Sequence, residues 1–175
     1  MYELRQALEA IRDFMEMGGP VLTAIAWLLF VMWIMIVERW VFYRTGLKDQ
    51  INEVVEIWEA RSERKSWEAH QIRLAMVSRV TIEAQQGLSI IKTLVAVCPM
   101  LGLLGTVTGM IEVFDVMATG AGNTRGMAAG VSKATLPTMA GMVAAISGML
   151  FHVQLERFAA DASDRVADNL QTFSE

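Results

Sequence analysis

Two uncharged stretches, residues 98–111 and 134–150, place their small residues along one side of a helix. In the second stretch these residues recur at alternating steps of four and three, at Ala134, Thr138, Gly141, Ala145 and Gly148. In the first they are Gly102, Gly105 and Gly109. Glycine inside a soluble helix costs about 1 kcal/mol relative to alanine, whereas in lipid small residues let helix backbones approach closely. The pattern therefore predicts two membrane helices that pack on other helices through the five glycines and Ala145.

Three segments have the length and composition of membrane spans. Residues 20–37, 93–111 and 134–153 contain no Asp, Glu, Lys or Arg, and each is close to the ~20 residues that cross a bilayer. The first is bulky on every side and is expected to face lipid. The apolar fraction of 54% is above the range of ordinary soluble domains. The sequence thus predicts an all-α membrane protein with three transmembrane helices and a single domain over residues 1–175.

The segments between the spans are predicted mainly from periodicity. Residues 1–17 form an amphipathic helix at the membrane surface, and residues 39–92 form a polar helical region in which 72–94 runs on into the second span. Residues 112–133, with several glycines, are expected to be a loop. The third span is expected to continue through 154–175 as one helix of about forty residues. Its small-residue side continues through His152, Leu155, Ala159, Ala162, Val166 and Phe173. That continuous seam predicts burial by neighbouring copies of the chain, with two of the spans extended into the cytoplasm.

The distribution of basic residues predicts the orientation. Nine of the fifteen Lys and Arg lie within residues 39–92, and only Arg125 and Lys133 lie between the second and third spans. By the positive-inside rule, residues 39–92 and the C-terminus are cytoplasmic, whereas the N-terminus and residues 112–133 are periplasmic.

The polar chemistry inside the spans is sparse. Thr106 and Thr138 lie on the small-residue sides, so their hydroxyls line a pore if those sides surround an axis; alternatively, each bonds its own helix backbone. Pro99 and Pro137 are expected to kink their helices. His152, near the cytoplasmic mouth, is expected to be hydrated, with proton passage or gating as a lesser role. Lys133 is expected to be an interfacial charge, with gating as the alternative.

Several classes of function lack support in the residues. Neither histidine lies in a metal-ligand spacing, Cys98 is the single cysteine, and no catalytic residue pattern or cofactor motif is present. The net charge of −4 gives no reason to expect nucleic-acid binding. The three spans also hold no carboxylate, although ion-driven membrane proteins carry ions on intramembrane Asp or Glu. If this chain moves ions, a partner helix must supply that acid.

Two motifs, GLLGTVTGM at 102–110 and GVSKATLPTMAGMVAAISG at 130–148, resemble the ExbB/TolQ/MotA proton-channel family, most closely its ExbB branch. The resemblance implies a pentamer in the inner membrane of a Gram-negative bacterium, enclosing the helices of an ExbD-like dimer whose Asp is the missing acid. It further implies coupling to a TonB-like protein and import of siderophores, haem or similar cargo, and it places the family's pore-facing threonines at Thr106 and Thr138. Many relatives carry an acid where this chain has Lys133, so the role of that acid does not carry over.

Two alternatives stay open at this point. Within the family, a TolQ-like role in envelope maintenance is not separated from TonB coupling by sequence, whereas the short cytoplasmic region weighs against a flagellar stator. Outside the family's activity, the chain could be a non-conducting oligomeric scaffold in the membrane. An enzyme is not supported by any group of residues.

Overall fold

The computed structural model is all-helical over the part of the chain that it describes. The five helices are α1 (Tyr2–Arg44), α2 (Gly46–Glu59), α3 (Trp67–Gln85), α4 (Leu88–Ala118) and α5 (Thr124–Asn169). The structure describes residues 2–61, 63, 66–118 and 124–170. Three helical stretches, in α1, α4 and α5, are long and apolar enough to cross a membrane, and they include the three predicted spans. The predicted all-α class with three such helices is therefore confirmed.

Helix α1 contains a break immediately before the first span. Gly19 adopts φ 66° and ψ −163°, a conformation that favours glycine because a Cβ would be strained there. Pro20 follows and begins the next helical segment, where its missing N–H costs nothing. The break thus separates the segment 1–17 from the predicted span over 20–37. The side chains of Leu4 and Leu8 lie outside the described residues, so the amphipathic stripe of residues 1–17 stays a prediction.

The predicted continuous helix over residues 72–94 is wrong. Helix α3 ends at Gln85, Gln86 leaves the helical region at ψ 133°, and α4 begins at Leu88. Gly87 between them has φ 81°. A side chain there would be strained, and its Cβ would come within 2.8 Å of the Arg39 guanidinium. The glycine makes a corner against α1 that the polar, helical pattern around it conceals.

The predicted loop over residues 112–133 is also wrong in most of its length. Helix α4 continues to Ala118, and α5 begins at Thr124; the intervening residues 119–123 lie outside the described part. The glycines there suggested a loop, but Gly130 is a packing residue. A Cβ on Gly130 would meet Val113 Cγ2 at 2.5 Å, and Val113 is buried. Both helices therefore extend past the lengths predicted for the spans.

The chain packs as two compact units, and α1, α4 and α5 contribute to both. The first consists of Met1–Trp33 and Thr93–Met149, and the second of Ile34–Lys92 and Leu150–Glu175. The first unit buries apolar side chains of all three helices, including Leu22, Ile25, Met32, Cys98 and Ala144. The core of the second unit includes Trp58, Val80, Ile91, Leu155 and Val166.

Side-chain hydrogen bonds join the helices of the second unit. The Tyr43 hydroxyl donates to the Ala84 carbonyl, and Thr81 and Ser163 share a hydroxyl–hydroxyl bond of 2.7 Å. Arg73 donates through Nε to the carbonyl of Leu170, just after α5, and through Nη2 to the Ala167 carbonyl of α5. These bonds join α1 to α3 and anchor the C-terminal part of α5 to α3.

The small-residue seam of α5 is buried by the same chain. Its buried members are Ala134, Gly141, Gly148, His152, Leu155, Ala159, Ala162 and Val166. Gly141 lies against α4, and Gly148 lies against Met32 of α1 and Val95 of α4. The inference that neighbouring copies bury this seam was therefore wrong, because α1, α3 and α4 already do so. Phe173, the last predicted member, lies outside the described residues.

Candidate functional site

The glycines of α4 and α5 lie where the two helices meet backbone to backbone. A Cβ on Gly102 would come within 2.9 Å of Thr138 Cα and 3.0 Å of the Pro137 carbonyl oxygen. A Cβ on Gly141 would come within 2.6 Å of the Cys98 carbonyl oxygen. Further along α4, a Cβ on Gly109 would come within 2.7 Å of Ala134 Cα. Since backbone atoms cannot move aside as a flexible side chain can, this interface admits only small residues.

Helix α1 packs on the same pair of helices. A Cβ on Gly105 would meet the Pro137 ring and Val21 Cγ1. A Cβ on Gly148 would meet Met32 Sδ at 2.5 Å. Here the neighbours are mostly side chains, so the contact is more adaptable than that between α4 and α5. Ala145, the remaining predicted packing residue, is half-buried in this region of α5.

Thr138 makes a hydrogen bond between helices. Its hydroxyl donates to the carbonyl of Gly102 at 3.0 Å, so the oxygen lone pairs remain available to accept a bond. Four other hydroxyls of these spans donate to carbonyls of their own helix; they belong to Thr106, Thr108, Thr135 and Ser147. Among these, Thr106 is half-buried and lies one turn from Gly102, on the side of α4 that faces α5. The two predicted pore-lining threonines thus lie on the same pair of helices. Thr138 bonds across to the other helix, whereas Thr106 bonds a carbonyl of its own helix.

The prolines interrupt neither helix. Helix α4 runs through Pro99, which is exposed, and α5 runs through Pro137, which is buried against Gly105. A proline cannot donate to the carbonyl four residues earlier. The Pro137 ring packs in the space that Gly105 of α4 leaves by having no side chain. The kinks at both prolines stay predictions.

Lys133 has a partner that sequence reasoning missed. Its Nζ lies 3.3 Å from Glu112 Oε2, and the two side chains are 45% and 61% exposed. A small cavity of about 110 Å³ adjoins the pair and is lined also by Gly109, Val113 and Gly130. A pair this exposed contributes only about 0–1 kcal/mol. The sequence did show that both charges border predicted spans. It could not show that they pair, because the pairing depends on the register of α4 against α5.

His152 is buried, in contrast to the hydrated position predicted for it. Its exposed fraction is 6%. Its Nδ1 has no hydrogen-bond partner, and its Nε2 lies 3.9 Å from Glu156 Oε1. The spacing of four residues between these two side chains was a signal that sequence reasoning did not use. The difference arises because α5 is covered at this position by its own chain.

Large apolar side chains cover the outside of the spans. On α4 the exposed ones include Met100, Leu103, Leu104, Val107 and Ile111, and on α5 they include Met139, Met142, Val143, Ile146 and Leu150. Trp27, Phe30 and Ile34 are exposed on α1. Less than a third of each span is buried within the chain. Such surfaces require contact with lipid or with further helices.

Metal chemistry has no support in the part of the chain that the structure describes. Among residues 2–61, 63, 66–118 and 124–170, no group of three His, Cys, Asp or Glu side chains is placed to hold a metal ion. The single cysteine, Cys98, is free and buried. What this site offers is a small-residue helix interface with hydroxyl groups and an ion pair near one end of the third span.

Comparisons with known proteins agree on one family. Residues 41–168 match the family model described as the MotA/TolQ/ExbB proton channel family. The chain is 36% identical over 107 residues to one protein of Synechocystis sp. and 36% identical over 87 residues to another, both named as ExbB-like biopolymer transport proteins. The first match covers 53% of this chain and 42% of the relative, and the second covers 46% and 41%.

A protein of Helicobacter pylori, also named as ExbB-like, is 30% identical over 96 residues. That match covers 54% of this chain and 51% of the relative. The chain thus spans about half or less of the length of the curated relatives that it matches.

Proposed function

The chain belongs to the MotA/TolQ/ExbB proton channel family, and on that premise we propose that it is the inner-membrane subunit of an energy transducer of the ExbB–ExbD–TonB type. The transducer is driven by the proton-motive force. It powers outer-membrane import of siderophores, haem or similar cargo through a TonB-like protein. Membership of a proton channel family makes the chain a transport subunit and not an enzyme.

The observation that carries this proposal is a hydroxyl-bearing helix interface with no acid in it. Residues 20–37, 93–111 and 134–153 contain no Asp or Glu, so these spans cannot carry a proton on a carboxylate of their own. The Thr138 oxygen, which donates to Gly102, can still accept a hydrogen bond from a protonated carboxylic acid. An ExbD-like single-span partner supplies that acid as an intramembrane Asp. Thr106 and Thr138 form the part of the proton pathway that this chain contributes.

The exposed surface of α4 and α5 supports assembly with further helices. The bulky side chains there, not the small-residue seam, are the ones that the chain leaves uncovered. Five copies arranged around an ExbD-like dimer cover part of this surface, while α1 with Trp27 and Phe30 faces lipid. In this proposal Lys133 and Glu112, whose charged groups lie 3.3 Å apart, act as a gating pair at the entry to the pathway.

The orientation follows from charge. The segment 39–92 holds nine basic residues, and basic segments stay on the cytoplasmic side. The C-terminal part of α5 lies on the same side, because two spans separate it from residues 39–92. The N-terminus and the ends of α4 and α5 near Lys133 face the periplasm.

A pair of double variants tests this function. Thr106→Ala with Thr138→Ala removes the two hydroxyls assigned to the pathway. Thr108→Ala with Thr135→Ala is the matched control, since it makes the same chemical change on the same helices at exposed positions, whereas Thr106 and Thr138 are half-buried. Siderophore uptake is measured in cells, and assembly with the single-span partner is measured by native mass spectrometry.

The proposal predicts that only the Thr106/Thr138 variant loses uptake while its assembly is preserved. Normal uptake by that variant would favour a non-conducting scaffold. A strain that lacks the gene for this chain tests the alternative within the family. Normal siderophore uptake by that strain, together with sensitivity of its cells to detergent, would indicate the TolQ-like role in envelope maintenance.

A further inference from the structure

A cavity of about 370 Å³ lies in the second compact unit, between the end of α1, the start of α2 and the C-terminal part of α5. Its volume is within the range of about 300–1,000 Å³ that is typical of small-ligand sites. None of its lining residues belongs to the proton pathway assigned to Thr106 and Thr138. They are Trp40, Tyr43, Arg44, Leu47, Ile51, Phe158, Asp161, Ala162 and Arg165.

The charged groups of this cavity are two arginines and one aspartate. Arg44 is the last residue of α1, and Asp161 and Arg165 lie one turn apart on α5. Neither guanidinium forms a hydrogen bond or an ion pair with another residue that the structure describes. Two positive charges and one negative charge thus line the cavity, so it favours an anion.

The Arg44 guanidinium lies over the ring of Trp40. Its Cζ is 4.7 Å from the centre of that ring, which is a cation–π distance. A guanidinium that lies over a ring keeps its N–H donors at the edge of its own plane, where they fit two oxygens of one phosphate group. Both side chains are exposed, so a ligand from outside the chain can reach these donors.

The cavity lies at the depth expected for lipid headgroups. Trp40 follows the first span, residues 20–37, by three positions, or about 5 Å along a helix, and each headgroup layer is about 5–8 Å thick. Phe158, which is exposed, follows the third span by five positions. Side chains of a helix tilt toward its N-terminus, so Arg44 and Arg165 reach back toward the bilayer from beyond these rings.

We infer that this cavity binds the headgroup of an anionic phospholipid that carries hydroxyl groups, such as phosphatidylglycerol; the site does not depend on the proposed proton transport. Arg44 and Arg165 donate hydrogen bonds to the phosphate oxygens. Asp161 accepts a hydrogen bond from a hydroxyl of the headgroup. The exposed rings of Trp40 and Phe158 pack on the glycerol backbone and the first methylene groups of the acyl chains.

Lipid binding by the full chain tests this site. The protein is purified in detergent and titrated with phosphatidylglycerol or with phosphatidylcholine of the same acyl chains, and the lipid-bound fraction is measured by native mass spectrometry. We expect wild-type protein to bind phosphatidylglycerol about tenfold more tightly. Arg44→Gln with Arg165→Gln is expected to abolish that preference. Arg79→Gln with Arg157→Gln removes the same charge at exposed arginines outside the cavity and is expected to keep it.

Three results would overturn the site. Equal binding of the two lipids by the wild-type chain would do so without any variant. An equal loss of preference in both double variants would show diffuse attraction to basic groups. Displacement of bound phosphatidylglycerol by inorganic phosphate would show a site for soluble anions. Circular dichroism checks that each variant keeps the helical content of the wild type, and the single variants Arg44→Gln and Arg165→Gln, each with a partial loss expected, replace a double variant that does not fold.

Discussion

Replacing Gly141 by alanine tests whether α4 and α5 touch at their backbones. The new Cβ would lie 2.6 Å from the Cys98 carbonyl oxygen and 3.3 Å from Gly102 Cα. Ordinary contacts begin near 3.4 Å, so the helices must separate locally by about 0.8 Å, enough to forfeit a quarter to a half of the dispersion attraction between facing atoms. The change is therefore an overpacking of a tight interface.

The expected cost follows from three terms. Overpacking of a well-packed interior costs about 1–3 kcal/mol. Separation also weakens the Thr138–Gly102 hydrogen bond, and such bonds contribute about 0.6 kcal/mol on average between membrane helices. The better helix propensity of alanine returns up to about 1 kcal/mol. With the full propensity gain, the net loss of unfolding free energy is expected to be about 0.6–2.6 kcal/mol.

The assay is reversible unfolding in mixed lipid–detergent micelles, followed by circular dichroism. Gly148→Ala is the matched control, because its Cβ would meet the Met32 sulfur and a Val95 methyl, which can shift. We expect it to lose less than half as much stability as Gly141→Ala. A Gly141→Ala protein as stable as the wild type would refute the reasoning, since it would show that the backbones do not meet there.

Three further changes test particular contacts. Thr138→Val removes the bond between α4 and α5 and is expected to lower the unfolding free energy by about 0.6 kcal/mol in the same assay. A double-mutant cycle of Glu112→Ala and Lys133→Ala is expected to give a coupling energy of about 0.2–1 kcal/mol that falls with added salt. Arg73→Met removes the donors to the Leu170 carbonyl and its neighbour, so amide hydrogen exchange in the last turns of α5 is expected to rise about tenfold or more.

Each of these expectations has a clear contrary result. A Thr138→Val protein that loses several kcal/mol would mean that the hydroxyl has a larger structural role than one bond. A coupling energy near zero at low salt would show that Glu112 and Lys133 do not form the pair. Unchanged exchange in Arg73→Met would show that packing, rather than the guanidinium, holds the C-terminal end of α5.

The spans were predictable because their signal is local. Length and the absence of charge in residues 20–37, 93–111 and 134–153 depend only on neighbours in sequence. The break at Gly19 was predictable for the same reason, since the Gly-Gly-Pro sequence favours it directly. The roles of two other glycines could not be predicted from their neighbours in sequence. Gly87 turns the chain against Arg39, and Gly130 fits Val113, and both depend on which helix lies beside them.

The partners of the polar groups could not be predicted, because they depend on register and on the course of the chain. The Glu112–Lys133 pair requires α4 and α5 to extend past their predicted ends. The burial of His152 depends on other segments of the chain that cover α5, which the periodicity of α5 does not reveal. The seam of α5 was recognised correctly as a buried surface, but its periodicity carries no information on whether the covering helix belongs to the same chain.

Proton flux into proteoliposomes is the most direct test of the claim that this chain needs an acid from a partner helix. Three preparations are compared under an imposed pH gradient and membrane potential: the chain alone, the chain with its single-span partner, and the chain with a partner whose intramembrane Asp is changed to Asn. The account predicts flux only in the second preparation. Flux of equal size from the chain alone would contradict it, because the three spans of this chain hold no carboxylate to carry the proton.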